Sequence, residues 1–259
     1  MKIIEFSAKD ACVKGYIQEN YDDLVHHKLR PAMIVCPGGA YEFTSPREAD
    51  PVALEFSGMG YNVFIIDYSV KQSAAGYRPL KELAEAVHTV RSNSGVWNID
   101  PAKVAVIGFS AGGHLAASLG ILWNDSEIGL PADCRPDALV LGYPVITTGE
   151  YTHGLSSDNV SGGDHVMREK LSLEKRVTSA VPPTFIWHTV DDPTVPVENT
   201  LLLINALKRS EVPFEAHLFA HGDHGLSICT VEVETPNPQC HEWVQLCKTW
   251  LNDRFEYTP

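Results

Sequence analysis

The chain has 259 residues, 44% of them hydrophobic and 20% charged, with a formal net charge of -13 at pH 7. That length and apolar content suffice for one large buried core, while the acidic balance, with no basic stripe, argues against a nucleic-acid partner. No stretch is apolar over the length of a bilayer span, and no linker, low-complexity tract or internal repeat divides the sequence. A single domain over residues 1–259 with no membrane partner is therefore expected.

In chain order, residues 2–18 read as an antiparallel hairpin at a sheet edge, with charges at Lys2, Glu5, Lys9 and Asp10 and no apolar run of signal-peptide length. The His26–His27 pair follows in a polar loop. Short apolar runs rich in branched residues, at Ala32–Cys36, Asn62–Asp67, Val104–Gly108, Ala138–Gly142 and Thr184–His188, have the composition of strands buried on both faces. A further strand is expected at Phe214–Phe219. Between them fall helical patterns: Arg47–Met59; Leu80, Leu83, Ala84, Val87 and Val90 behind Pro79; Ala111–Trp123; and Leu201, Ile204 and Leu207 behind Pro196.

This alternation predicts right-handed crossovers and an α/β fold of three layers, a mostly parallel central sheet with helices on both faces. Function in such sheets gathers beyond the carboxyl ends of the strands. Residues 147–178 are polar, glycine-containing and long, which predicts an excursion over that active face. The loop Ile228–Gln239, with Pro236 and Pro238, is expected to form a wall of the site. Cys12, Cys36, Cys134, Cys229, Cys240 and Cys247 are scattered and form no CxxC; they read as reduced thiols of a cytoplasmic protein, with disulfides in an exported form as the alternative.

The stretch Gly108-Phe109-Ser110-Ala111-Gly112 joins an apolar strand to an apolar helix. A serine at so sharp a turn projects its hydroxyl from the sheet, and the crowded backbone tolerates only very small residues two positions to either side. Such a hydroxyl needs an imidazole to take its proton and a carboxylate to orient that imidazole. After the strand ending at His188 come Asp191 and Asp192; after Phe219 come His221, Asp223 and His224. Asp192 directly precedes Pro193 and stands three residues before Val195, and is preferred to Asp191, whose alternative is a turn residue bonding its own backbone. His224, flanked by Gly225 and furthest beyond its strand, is the expected base, with His221 and Asp223 as loop-shaping groups.

His114, one helical turn behind Ser110, is expected to be structural. An oxyanion needs donors, each worth roughly 3 kcal/mol. Pro37-Gly38-Gly39-Ala40-Tyr41 follows a strand and offers the N–H groups of Gly39 and Ala40, joined by that of Ala111 at a helix start. The His221, Asp223 and His224 group lacks the further ligands a zinc site needs, so neither metal nor cofactor is expected.

The chain resembles the α/β-hydrolase esterases, and among them the acetyl-esterase and acetylxylan-esterase-like group that includes feruloyl esterases. The resemblance rests on CPGGAYEFTSPREAD at 36–50, GFSAGGHLAASLG at 108–120, YPVIT at 143–147, PPTFIWHTVDDPTVPVENT at 182–200 and HGDHGLS at 221–227. It implies the α/β-hydrolase fold, Ser110 as nucleophile, Asp192 as acid, His224 as base, and Gly39, Ala40 and Ala111 as oxyanion donors. One departure is Pro37, where hormone-sensitive-lipase-like relatives carry a histidine that braces the loop.

The implied activity is hydrolysis of small acyl esters, acetyl first, from sugars or xylo-oligosaccharides, with a small-molecule ester as partner. Tyr41, Phe109, Tyr143 and Trp187 are candidate pocket residues, each equally readable as core filling. Arg47 and Glu48 are candidates either to brace the oxyanion loop or to contact substrate, or else a solvated helix-start pair. Two other readings remain open: a peptidase of the prolyl-oligopeptidase type, for whose gating domain the chain has no room, and a catalytically silent binding scaffold.

Overall fold

Branched and aromatic side chains on both sides of the chain give each central strand two buried faces, and the strands associate into one eight-stranded sheet. The computed structural model describes residues 1–23 and 28–258, so the His26–His27 pair lies outside the described residues. β1 (Lys2–Ala8) and β2 (Ala11–Ile17) form the edge hairpin, and β2 runs antiparallel to β4. From there β4 (Asn62–Asp67), β3 (Arg30–Cys36), β5 (Ile99–Phe109), β6 (Ala138–Gly142), β7 (Thr184–Thr189) and β8 (Phe214–Phe219) are all parallel.

The period of two along each strand sorts its side chains into two cores. Ile34, Val106, Leu139 and Ile186 pack under the helices α2 (Arg78–Ser92), α3 (Ala111–Leu122) and α6 (Glu198–Arg209). Met33, Ile107, Val140 and Phe185 pack under α1 (Asp50–Gly58) and α7 (Pro238–Phe255). The expected Arg47–Met59 helix is shorter than its pattern, because Pro46–Glu48 forms a separate 3-10 turn and the chain breaks at Ala49 before α1 begins. Helix α7 was not among the expectations. Its buried Cys240, Trp243, Val244, Cys247, Trp250 and Leu251 recur at helical spacing, and Asn237 caps it by accepting from the Cys240 N–H ahead of Pro238.

Residues 147–178 carry two short helices, α4 (Gly154–Ser161) and α5 (His165–Lys170), and a 3-10 turn at Leu173–Lys175. All six cysteines are free thiols. Among the described residues no helix is long and apolar enough to cross a membrane, and no group of three or more His, Cys, Asp or Glu side chains could hold a metal ion.

The β5–α3 junction is packed at backbone contact. A Cβ on Gly108 would run into the carbonyl of Gly112, and one on Gly112 into the carbonyls of Cys36 and Pro37, so helix α3 leaves the sheet at backbone contact with both neighbours. Gly112→Ala is expected to destabilise the fold by about 2 kcal/mol or more, read as a lowered urea midpoint, because the obstacle is backbone that cannot swing aside.

Candidate active site

Ser110 sits between β5 and α3 with φ 52° and ψ -119°, a strained conformation for a residue with a side chain. Its N–H donates to Gly142 O at 3.1 Å, and its carbonyl accepts from Val145 N at 3.0 Å and His114 N at 3.1 Å. Backbone on both sides thus holds the turn, and the hydroxyl emerges at the end of the sheet. His224 arrives from the loop after β8: its Nε2 lies 2.8 Å from Ser110 Oγ and its Nδ1 lies 2.7 Å from Asp192 Oδ2. The carboxylate accepts at Nδ1, which leaves Nε2 to accept from the serine hydroxyl.

Asp192 is fixed from every side. Its Oδ1 accepts from Thr194 N at 2.8 Å and Val195 N at 2.9 Å. Its Oδ2 also faces His188 Nε2 at 3.3 Å, and His188 is itself buried, bonded to Val195 O and Thr200 Oγ1. Since Val195 O and Asp192 Oδ2 can only accept, the His188 proton sits on Nε2. Burial on its own would raise the Asp192 carboxyl, but hydrogen bonds from His188, His224 and Val195 outweigh it and hold the group well below the usual carboxylate range. Asp191 makes a separate, exposed pair: it accepts from His221 Nδ1 and Gly222 N, both at 2.8 Å, and shapes the loop that carries His224. Asp223 is exposed.

Facing Ser110, the loop after β3 turns back through Gly39, Ala40 and Tyr41, all at positive φ. Among the described residues the N–H groups of Gly39 and Ala40 have no acceptor, and that of Ala111 opens helix α3. Gly38 packs so closely on the elbow that an added Cβ would lie 3.0 Å from Ser110 Cβ.

The loop is held by Glu48, which is 3% exposed. Its Oε2 accepts from Gly38 N at 2.7 Å and its Oε1 from Tyr143 Oη at 2.6 Å, while Tyr143 Oη accepts from Ser227 N at 2.8 Å. Burial, and then the Glu48 carboxyl beside it, push the Tyr143 phenol well above its usual range and keep it a donor. Both residues contribute to the cavity lining, but Glu48 is buried and braces the loop, whereas Arg47 is exposed.

Residues 147–178 fold back onto the same loop. Asn159 Nδ2 in α4 donates to Ala40 O at 3.1 Å. His114, fully buried, joins Tyr41 Oη to Leu171 O, each at 3.0 Å; the carbonyl requires a proton on Nε2, so Nδ1 accepts from the phenol. His153, just before α4, lines the cavity half-buried with Nδ1 on Ser156 Oγ at 2.8 Å. Burial first, and His224 second, lower its pKa.

The cavity in front of Ser110 has a volume of about 170 Å³ and includes Gly39, Ala40, Phe43, Arg47, His153 and His224 in its lining. Two expectations need correction. Tyr41, Phe109, Tyr143 and Trp187 are at most 1% exposed and do not line it, because they fill the interior beneath the site, Trp187 stacking on Trp243 with Tyr143 edge-on to it. The Ile228–Gln239 loop is not a wall either; Ile228, Cys229 and Val233 turn inward to pack with α7. His188, His153 and Asn159 escaped the sequence reading. His188 had a signal, a polar end to an otherwise apolar strand four residues before Asp192, but the other two depend on how residues 147–178 fold back.

The sheet order and the placement of these loops at its carboxyl ends define an α/β-hydrolase. The BD-FAE family model matches residues 21–137. Endo-1,4-beta-xylanase B of Butyrivibrio fibrisolvens is 40% identical over 212 residues, which span 78% of this chain and 33% of that protein. The acetylxylan esterase of Xylanibacter ruminicola is 28% identical over 77% of this chain and 42% of its own length. The chain thus spans a third to under a half of these curated relatives. The crystal structure of the acetyl ester-xyloside bifunctional hydrolase from Caldicellulosiruptor lactoaceticus superposes with a TM-score of 0.86 at 35% identity, covering 99% of this chain and 97% of that one. The chain belongs to the α/β-hydrolases.

Two predictions come from this geometry. Glu48→Gln, which puts an amide where two donors converge, should lower kcat about 10- to 100-fold on a small ester with little change in KM. The buried His114 has its pKa lowered to about 4 from 6.5, chiefly by burial. The unfolded chain takes up this proton first, so the stabilisation is whole above about pH 6.5 and is lost as pH falls towards 4. Urea midpoints across that range should show a loss of about 3 kcal/mol that His114→Gln lacks.

Proposed function

We propose that the protein is a serine carboxylic-ester hydrolase that removes small acyl groups, acetyl first, from sugar or xylo-oligosaccharide esters. The observation that carries this reading is the unbroken chain from Ser110 Oγ through His224 to Asp192 beside two unengaged backbone donors. Ser110 Oγ attacks the acyl carbonyl as its proton passes to His224 Nε2, and Asp192 holds the imidazolium through Nδ1. The N–H groups of Gly39, Ala40 and Ala111 receive the developing oxyanion. Collapse breaks the ester bond, His224 returns the proton to the leaving alcohol, and a water activated by the same imidazole then releases the acid from Ser110.

A cavity of about 170 Å³ favours a short acyl group, since sites for drug-sized ligands are roughly 300 Å³ or more. Phe43, 55% exposed at its edge, offers an apolar face to a sugar ring. The names of the relatives, an acetylxylan esterase and an acetyl ester-xyloside hydrolase, support the sugar-ester part of the reading. Six unpaired thiols, five of them buried, fit a cytoplasmic location.

A fluorophosphonate probe should label the wild type and leave Ser110→Ala unlabelled; equal labelling of both would overturn the assignment. Across acetyl, butyryl and octanoyl esters of one alcohol, kcat/KM should fall steeply with acyl length, and acetylated xylo-oligosaccharides should be deacetylated. Flat or rising rates would reject the small-acyl reading.

A further inference from the structure

Arg47 stands at the mouth of the Ser110 cavity with its side chain uncommitted. Its guanidinium reaches across to the His224 loop, where a Cβ added to Gly225 would lie 3.2 Å from Nη2. Among the described residues no carboxylate oxygen comes within 4.0 Å of it, in a chain with 33 acidic and 20 basic residues where a partner would be easy to supply. Glu48, its neighbour, has both oxygens turned into the protein towards Gly38 and Tyr143. The structural contact of Arg47 is made by its backbone, whose carbonyl accepts from Ser227 Oγ at 2.6 Å. No other lysine or arginine lines the cavity.

A guanidinium presents donors in a planar fork that matches a carboxylate bidentately. Its position is also informative: the cavity in front of Ser110 is small and open to solvent, with room for a short acyl group, and the exposed Arg47 in its lining is placed to meet an alcohol portion that projects outward. We infer that Arg47 binds a carboxylate carried on the alcohol portion of the substrate, so that the preferred esters are acetylated acidic sugars or other small-acyl esters of carboxylate-bearing alcohols. This rests on the esterase reading above. The net charge of -13 repels such a substrate at long range, but salt screens that field beyond about 8 Å, and the bidentate contact acts well inside this distance. If Arg47 served only to offset the charge of Glu48, its loss would affect neutral and anionic esters alike.

Phenyl acetate and 3-carboxyphenyl acetate differ by the carboxylate and share the acetyl group. The ratio of their kcat/KM values, anionic over neutral, should fall about tenfold or more in Arg47→Gln, mainly through KM, and less in Arg47→Lys. An unchanged ratio in Arg47→Gln overturns the inference. With the wild type alone, 3-hydroxybenzoate should inhibit phenyl acetate hydrolysis competitively and more tightly than phenol, an advantage that shrinks as salt rises; equal inhibition by the two also overturns it. Failure of the wild type to hydrolyse either ester in a Ser110-dependent manner would instead reject the esterase reading, and this inference with it.

Discussion

The buried carboxyl of Glu48 ties together the loops on which the site depends. One oxygen takes the N–H of Gly38 and the other the hydroxyl of Tyr143, which in turn takes the N–H of Ser227. The loop after β3, the end of β6 and the segment that follows His224 are thereby joined through a single side chain, although they are far apart in sequence. Two donors converging on a buried acceptor lose far more when it is removed than one surface hydrogen bond would, since each would be left unsatisfied. The residue before the glycine pair is Pro37, which has no side-chain donor or acceptor, and Glu48 holds the loop through the N–H of Gly38.

A second set of contacts reaches the same loop from residues 147–178. Asn159 holds Ala40 O, and His114 bridges Tyr41 to Leu171, so the loop is also held beyond the Gly38 contact made by Glu48. Positive φ at Ala40 and Tyr41 is unfavourable, and such strain persists only where surrounding structure over-determines it. These contacts are that surrounding structure. The N–H groups of Gly39 and Ala40, residues that line the cavity before Ser110, are left without an acceptor among the described residues, as the proposed oxyanion site requires.

Paired aspartates and paired histidines divide their work by burial. Asp192, enclosed and donated to by backbone and two imidazoles, orients His224; Asp191, exposed, pairs with His221 and forms the turn. The proline that follows Asp192 is what favours it in the sequence, and Asp192 is the aspartate bonded to His224; His114, set aside from its helical spacing, bonds Tyr41 and Leu171 instead. The aromatic residues near the motifs were another matter. Tyr143 and Trp187 follow or end strands at the active face, as pocket residues would, yet both point down into the core and leave the cavity to Phe43, Arg47 and His153.

What the sequence determined by itself was everything governed by local rules. Period-two burial and branched side chains made the strands, helical spacing made most of the helices, and the steric demand for glycine around a strand-to-helix turn marked Ser110. The spacing of α7 obeyed the same rules and was equally legible. Only the tertiary structure decided which side of each loop faced Ser110, that Glu48 turned inward while Arg47 turned outward, and that His153 and Asn159 came to the site from residues 147–178. The physical reason is that these choices were settled by hydrogen bonds between segments up to 180 residues apart, such as that from Ser227 Oγ to Arg47 O, whose partners no local pattern encodes.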